Sequence, residues 1–554
     1  MTIDPRAGKL IDPAAALDIS RLTQAFFDQK PDVSNPAQRV AFGTSGHRGC
    51  AFDTTFNEDH ILAITQAICR YRAARGIDGP LFLGQDTHAV SEHAFHVALE
   101  VLAANGVIVM VDSGGGYTPT PVISHAILVY NLGRTDSWAD GIVITPSHNP
   151  PQDGGFKYNP PHGGPAEAEI TGWIEKVAND FLSNKLRDVK RLGSGRNPSP
   201  LIKPHDYATS YIGDLKAVVR LEEIAAAGLR IGVDPLGGAA IGFWQPLAER
   251  YRLNLTVTDT TVDKTFKTIP MDWDGKIRMD CSSPYPMTRL LAHRERFDLS
   301  FANDTDADRH GIVTPAGLMP PNDYLAACAL YLGQARAAFK GRRIGKTVVS
   351  SSMIDHVARK LGVALFEVPV GFKWFVDGLG DGSLYFGGEE SAGSSFLRQD
   401  GTAWSTDKDG MIAGLLAAEI TVATGKTPDR LFAELAQETG KTFYARIDSP
   451  ARKETRTMLA KIDPAAVQGQ LGGDEIAQKF TQAPGNDAPI GGIKLVTANG
   501  WVAARPSGTE DIIKIYAESF VDLDHLAELQ RDARQLLNIA SADNCMVLEN
   551  CGAP

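Results

Sequence analysis

The chain has 554 residues, 43% of them hydrophobic and 22% charged, with a formal net charge of −11 at pH 7. That length exceeds what one hydrophobic core supports and predicts three or four domains. The acidic balance excludes a general nucleic-acid or acidic-membrane binder, and no apolar stretch is long enough to span a bilayer.

In chain order, residues 1–40 read as an irregular lead-in punctuated by Pro31 and Pro36. The opening Met1-Thr2-Ile3-Asp4-Pro5 has no apolar run of the signal-peptide kind. Asn57 is placed to cap a helix whose apolar residues Ile61, Ile64 and Ile68 recur at helical spacing up to Gly76. Leu81–Leu83 reads as a strand, Ala94–Ala104 as a helix and Val107–Val111 as a strand, an α/β alternation. The pattern restarts at the strands Leu229–Val233 and Lys346–Val349, each followed by a helix. Beyond 440 the character changes: Asn499-Gly500 between two apolar runs signals a hairpin, followed by a strand at Ile512–Tyr516 and a helix over Leu523–Leu537. The expected division is α/β domains at 41–205, 206–325 and 326–440, and an α+β domain at 441–554. Six scattered cysteines without paired or metal-ligand spacing predict reduced thiols in a cytoplasmic protein.

Four polar loops carry chemistry. The buried run Ile142–Ile144 ends at Thr145-Pro146-Ser147-His148-Asn149-Pro150, where the prolines force a turn and present the Ser147 hydroxyl at a strand end. In Asp304-Thr305-Asp306-Ala307-Asp308-Arg309 three carboxylates at alternate positions converge on one hard cation. An EF-hand requires Gly at the sixth position and Glu at the twelfth, which here are Arg309 and Pro315. Gly388-Glu389-Glu390-Ser391 offers groups for sugar hydroxyls, with two adjacent glutamates pointing opposite ways and one of them facing the ligand. Arg505-Pro506-Ser507-Gly508-Thr509-Glu510 combines a guanidinium fork, two hydroxyls and backbone amides around Gly508, a set that wraps a phosphate.

Three further residues attach to these loops. Arg48, in Gly46-His47-Arg48-Gly49, is placed to reach a phosphate on Ser147. Lys157, on a loop able to fold back over Ser147, is expected to have a lowered pKa among neighbouring cations and to act as a general acid or base. His148 is assigned a structural hydrogen bond, since adjacent residues seldom face each other. Each loop taken singly is also compatible with an ordinary turn.

Together these motifs resemble the α-D-phosphohexomutase superfamily, over a span from about residue 40 to the C-terminus. The resemblance implies four domains around a central cleft: three related α/β mixed-sheet domains and a C-terminal domain similar to the TATA-binding protein. It implies that Ser147 carries a phosphate and that Mg²⁺ is held by Asp304, Asp306, Asp308 and a phosphoserine oxygen. Arg48 would contact that phosphate, and Arg309 would sit beside the metal loop. Glu389 and Ser391 would take sugar hydroxyls, Arg505, Ser507, Gly508 and Thr509 the non-reacting phosphate, and Lys408 the substrate. Val370 departs from the threonine of several relatives, which leaves Gly371 or Lys373 for recognition there.

The implied activity is interconversion of glucose 1-phosphate and glucose 6-phosphate through glucose 1,6-bisphosphate, which doubles as an activating intermediate. The partner is a small sugar phosphate, with a homodimer as the one macromolecular option. The Glu389-Glu390 pair resembles glucomutases. Mannose specificity or dual specificity, a Mg²⁺-dependent sugar phosphatase and a non-catalytic sugar-phosphate sensor are the alternatives.

Overall fold

The computed structural model describes residues 3–43, 46–192, 199–507, 512–537 and 539. Its apolar runs pair into main sheets of seven, five, four and five strands. In the first sheet, Asp140–Ile144, Leu81–Gln85, Val109–Asp112 and Ile202–His205 run parallel, and Asp153–Asn159 and Gly46–Cys50 continue it antiparallel. The second sheet sets Ile231–Asp234 parallel to Leu255–Val257 and Leu299–Asn303, with His310–Thr314 antiparallel. The third sets Arg343–Thr347 parallel to Leu365–Val368 and Leu384–Glu389, with Gly393–Phe396 antiparallel. The last five-stranded sheet is antiparallel throughout.

One construction therefore recurs. In each of the first three sheets a buried parallel strand passes through a short turn into an antiparallel neighbour. Those turns are the Ser147, Asp304–Asp308 and Glu390–Ala392 segments. In the last sheet, residues 507–511 join the antiparallel pair Gly500–Pro506 and Ile512–Ser519. The first three chemical loops are thus connections at strand ends, where functional side chains are commonly carried.

The helix expected after Asn57 is Glu58–Arg75, closed by Gly76 at φ +67°, a left-handed end that glycine adopts without strain. Helix Gly410–Thr424 is buried along its first eleven residues, as expected for a helix apolar on every face. Gly414 lets it approach the metal-loop strand, since a Cβ there would lie 2.4 Å from the Phe301 ring. Its cap, Asp409, accepts from the Met411 and Ile412 N–H groups and also from Trp404 Nε1 and Tyr211 Oη. No described helix is long and apolar enough to cross a membrane.

The lead-in is not irregular. Ile19–Asp28 is a helix capped by Asp18, burying Leu22, Ala25 and Phe26 against the first domain. The signal is present in the sequence: Asp18 is a cap, and Ile19, Leu22, Ala25 and Phe26 recur at helical spacing after it. Residues 4–9 pair with 271–273 of the second domain, through Asp4 N–H to Trp273 O at 2.9 Å and Met271 N–H to Lys9 O at 2.9 Å.

His47 and His60 stack at 5.3 Å beneath the strand that carries Arg48, both buried. Burial lowers their pKa values from 6.5 to about 3 and about 4. The folded state thus favours neutral rings, so stability is full above pH 6.5 and falls as the pH drops toward 4. The loss reaches up to roughly 3 kcal/mol per ring. Urea midpoints measured against pH should fall less steeply between pH 6.5 and 4 for His47→Phe than for the parent. Parallel curves would refute this assignment.

Candidate active site

The Ser147 turn is held from below by a buried polar relay. Asp86 accepts from Ser91 Oγ at 2.6 Å, from His88 Nδ1 at 2.8 Å and from Thr145 Oγ1 at 2.6 Å. Thr145 Oγ1 in turn accepts from the Ser147 N–H at 2.8 Å. Ser147 has φ +59°, a left-handed conformation costing about 1–2 kcal/mol in a non-glycine residue. The consequence is directional: the hydroxyl turns into the domain junction and donates to Asp304 Oδ2 at 2.7 Å.

The same device appears in the other two loops. Ala307 has φ +56° and Ala392 φ +65°. Neither alanine advertises a left-handed position, so this strain is invisible in the sequence.

Asp304, Asp306 and Asp308 are all buried, and one oxygen from each lies within 4.8 Å of the others. At an effective dielectric of about 20, like charges at that separation repel by about 3 kcal/mol per pair. Counter-charge comes from three directions. Lys157 Nζ lies 2.6 Å from Asp306 Oδ2 and 3.3 Å from Asp308 Oδ2, Lys408 Nζ lies 3.0 Å from Asp308 Oδ2, and Arg309 Nε lies 3.7 Å from Asp308 Oδ1. Burial and the neighbouring Asp306 and Asp308 hold the Asp304 pKa well above the usual carboxylate range. For Asp308 burial pushes upward, but Lys408, Lys157 and Arg309 outweigh it and hold the pKa low.

The cluster is a junction of three domains. Thr120, at the start of helix Thr120–Asn131, donates its N–H to Asp306 O at 2.9 Å and its hydroxyl to Asp306 Oδ2 at 2.5 Å. His310 N–H reaches Ala392 O at 3.1 Å, and Gly410 N–H reaches Ala307 O at 3.0 Å. Gly410 is required at that contact, because a Cβ would lie 2.0 Å from the Arg309 carbonyl.

The donor set suits a hard divalent cation. Asp306 Oδ1 and Asp308 Oδ1 are buried without a hydrogen-bond partner, and carboxylate and hydroxyl oxygens are the ligands such ions prefer. The triad could therefore hold a metal ion beside the Ser147 oxygen.

The expectations for Lys157 and His148 need correction. Lys157 lies on the strand Asp153–Asn159, opposite Val143, and not on a mobile loop. Burial lowers its pKa, but Asp306 and Asp308 outweigh that and raise it above the ordinary value. It is a fixed cation. Arg48 donates to Asn149 Oδ1 at 3.3 Å, beside the Ser147 turn. His148 is adjacent to Ser147 yet does reach it, with Nδ1 3.4 Å from Oγ, because the left-handed turn rotates the two side chains together. The Gly371 N–H is already used by Glu389 Oε1 at 2.9 Å, and Lys373 lies over the Trp374 ring at 5.2 Å. Lys408 meets Asp308 in this structure.

On the sugar loop, Glu389 turns toward Gly371, whereas Glu390 accepts from Thr347 Oγ1 at 3.1 Å. Ser391 follows, partly exposed at the turn. Arg505 is paired in register with Lys514, and Ser507 N–H bonds Ile512 O at 2.9 Å. Burial, then Glu390, raise the Tyr516 pKa to about 12, with Arg505 opposing, so Glu390 and Arg505 act on the same buried tyrosine. Gly508 and Thr509 lie outside the described residues. Asp86, Thr120 and Thr145 escaped the sequence reading, since isolated buried hydroxyls and carboxylates carry no motif. Asp280, half-buried and within range of His148 and Arg309, escaped it likewise.

Comparison with known proteins matches this layout. Phosphoglucomutase/phosphomannomutase alpha/beta/alpha domains I, II and III match residues 39–184, 209–317 and 320–439, and the C-terminal domain of that family matches 456–536. A phosphoglucomutase of Komagataeibacter xylinus is 55% identical over 541 residues, 97% of this chain and 98% of the relative. Phosphoglucomutase 1 of Drosophila melanogaster is 27% identical over 432 residues, 73% of this chain and 71% of the relative. The crystal structure of Paramecium pp63/parafusin in its open form shares the fold, with a TM-score of 0.71 at 21% identity, covering 92% of this chain and 95% of that one. The chain belongs to the phosphoglucomutase/phosphomannomutase family, the α-D-phosphohexomutases, and is an enzyme of that mutase class.

Proposed function

We propose that the enzyme interconverts glucose 1-phosphate and glucose 6-phosphate through a phosphoserine at Ser147 and a glucose 1,6-bisphosphate intermediate. The observation that carries this reading is the Ser147 hydroxyl bonded at 2.7 Å to a buried carboxylate triad. Charge supports it. The three aspartates are met by three cations, Lys157, Lys408 and Arg309. A phosphoryl dianion on Ser147 would add negative charge that a divalent cation compensates. Mg²⁺ fits that requirement, held by Asp304, Asp306, Asp308 and a Ser147-linked oxygen; when bound it supplies electrophilic stabilisation of phosphoryl oxygens.

The protein's own groups do the rest. In the forward direction the O6 hydroxyl of glucose 1-phosphate attacks phospho-Ser147. The new O6–P bond forms as the Oγ–P bond breaks, and the O6 proton passes to the serine oxygen. The bisphosphate reorients, its C1 phosphoryl group passes to the Ser147 oxygen as the O1–P bond breaks, and the serine proton goes to O1, releasing glucose 6-phosphate. Lys157, Arg48 and Arg309 are fixed cations for charge spread over the transferred group. Arg505, Ser507, Gly508 and Thr509 grip the phosphate that does not react, and Glu389, Ser391 and Lys408 orient the sugar.

Ser147→Ala should lower kcat by roughly 10³-fold or more and should lack the phosphoryl mass seen in the parent protein. Retained turnover in the variant would sink the phosphoserine. Turnover of mannose 1-phosphate equal to that of glucose 1-phosphate would sink the glucose assignment.

Removing one carboxylate separates two effects. Asp306→Asn relieves repulsion in the metal-free protein and deletes a ligand. The parent should gain thermal stability on adding Mg²⁺, whereas the variant should gain little and show reduced activity. An equal Mg²⁺-dependent rise in both would contradict the triad as the metal site.

A further inference from the structure

The strand Ile512–Ser519 serves two places at once. At its start it borders the loop that carries Arg505 and Ser507; near its end stands Glu518, fully buried. Glu518 is paired across the sheet with Tyr444 on one side and Trp501 on the other, giving one row over three strands. That row faces the third domain. Trp501 Nε1 donates to Glu518 Oε2 at 2.7 Å, and Tyr444 Oη donates to Val349 O at 3.0 Å. The remaining acceptor capacity of Glu518 crosses the domain boundary: Ser351 Oγ donates to Oε1 at 2.5 Å and Ser352 N–H donates to Oε2 at 2.8 Å.

Ser352 is the N-cap of helix Met353–Leu361. A carboxylate of the last domain therefore supplies the negative group at the positive end of a third-domain helix. Charge-assisted bonds of this kind are the strong ones, and their geometry is directional. Around them lie a second buried tie, Lys494 Nζ to Glu367 Oε1 at 2.7 Å, and an apolar seam of Val348, Val349, Trp501, Ala503, Tyr516 and Val370. Val370 packs against this seam.

We propose that Glu518 is a positioning residue: by locking its strand to Ser351 and Ser352 it fixes how far Arg505 and Ser507 reach toward the sugar loop. This rests on the mutase reading above. From Glu518 to the phosphate loop is about 20 Å of continuous strand, so a small rotation at the lock displaces the far end by more than a hydrogen bond tolerates. Glu518→Gln keeps the shape but removes the charge and puts an amide NH₂ in place of one of the two oxygens that accept from Ser351, Ser352 and Trp501. The phosphate grip acts equally on ground and transition states, so its loss appears in KM and leaves kcat.

The test uses the full chain with Mg²⁺ and glucose 1-phosphate. Glu518→Gln should raise KM roughly tenfold, leave kcat within about threefold and speed amide hydrogen exchange at residues 351–354. Glu518→Asp, which keeps the charge, should restore part of the KM. Should Glu518→Gln not fold, Ser351→Ala carries the test, with the same direction and a KM change of about threefold. Unchanged KM with unchanged exchange overturns the proposal, as does faster exchange without a KM change, or a fall in kcat as large as the rise in KM. If the parent protein interconverts no sugar phosphate, the mutase reading fails on its own; the exchange measurement then still reports whether Glu518 locks the two domains.

Discussion

Three carboxylates confined to one buried turn repel each other, and the rest of the molecule is arranged around that repulsion. No single domain neutralises it. Lys157 arrives from the first sheet, Arg309 from the turn itself and Lys408 from the segment preceding a third-domain helix. Thr120 adds a hydroxyl and a helix N-terminus. The electrostatic requirement of the loop thus becomes a geometric requirement on three domains. Ser147 at that junction has a buried and charge-compensated setting, the condition under which preorganised charges act most effectively.

The repeated hairpin explains how one construction can supply different chemistry. A buried parallel strand brings the chain to the junction, a turn with a left-handed residue redirects it, and an antiparallel strand takes it away. Ser147, Ala307 and Ala392 occupy that left-handed position in the three loops. The backbone holds the geometry, so the side chains can be a serine hydroxyl in one domain, three carboxylates in the next and the Glu389-Glu390-Ser391 set in the third. Strain of this sort persists where the surroundings over-determine it. Here the Asp86–Thr145 relay does so for Ser147, and the Gly410–Ala307 contact does so for the acidic turn.

Much of this was legible in the chain. The Asn57–Gly76 helix, the Asn499-Gly500 hairpin and the Ser147 and Asp304–Asp308 turns all carry local signals of capping, turn chemistry or charge spacing. What escaped reading was non-local. Lys157 sits in a run rich in glycine that reads as loop, and pairing with Asp140–Ile144 on one side and Gly46–Cys50 on the other makes it a strand. Its pKa was expected to fall among cations, yet its nearest charges are carboxylates more than a hundred residues away. Lys408 was placed on substrate by its motif, while its partner Asp308 comes from another domain. The helix Ile19–Asp28 is the exception: its Asp18 cap and the spacing of Ile19, Leu22, Ala25 and Phe26 are local signals that the reading of an irregular lead-in passed over.

The account rests on one shared ion, and locating that ion tests it directly. Crystals of the protein grown with Mn²⁺ in place of Mg²⁺ would show the metal by anomalous scattering. The expected peak lies within coordination distance of one oxygen each from Asp304, Asp306 and Asp308 and of an oxygen on Ser147 or its phosphate. A saturated crystal with the peak elsewhere, and with Lys157 still seated on an unmetallated Asp306, would contradict it.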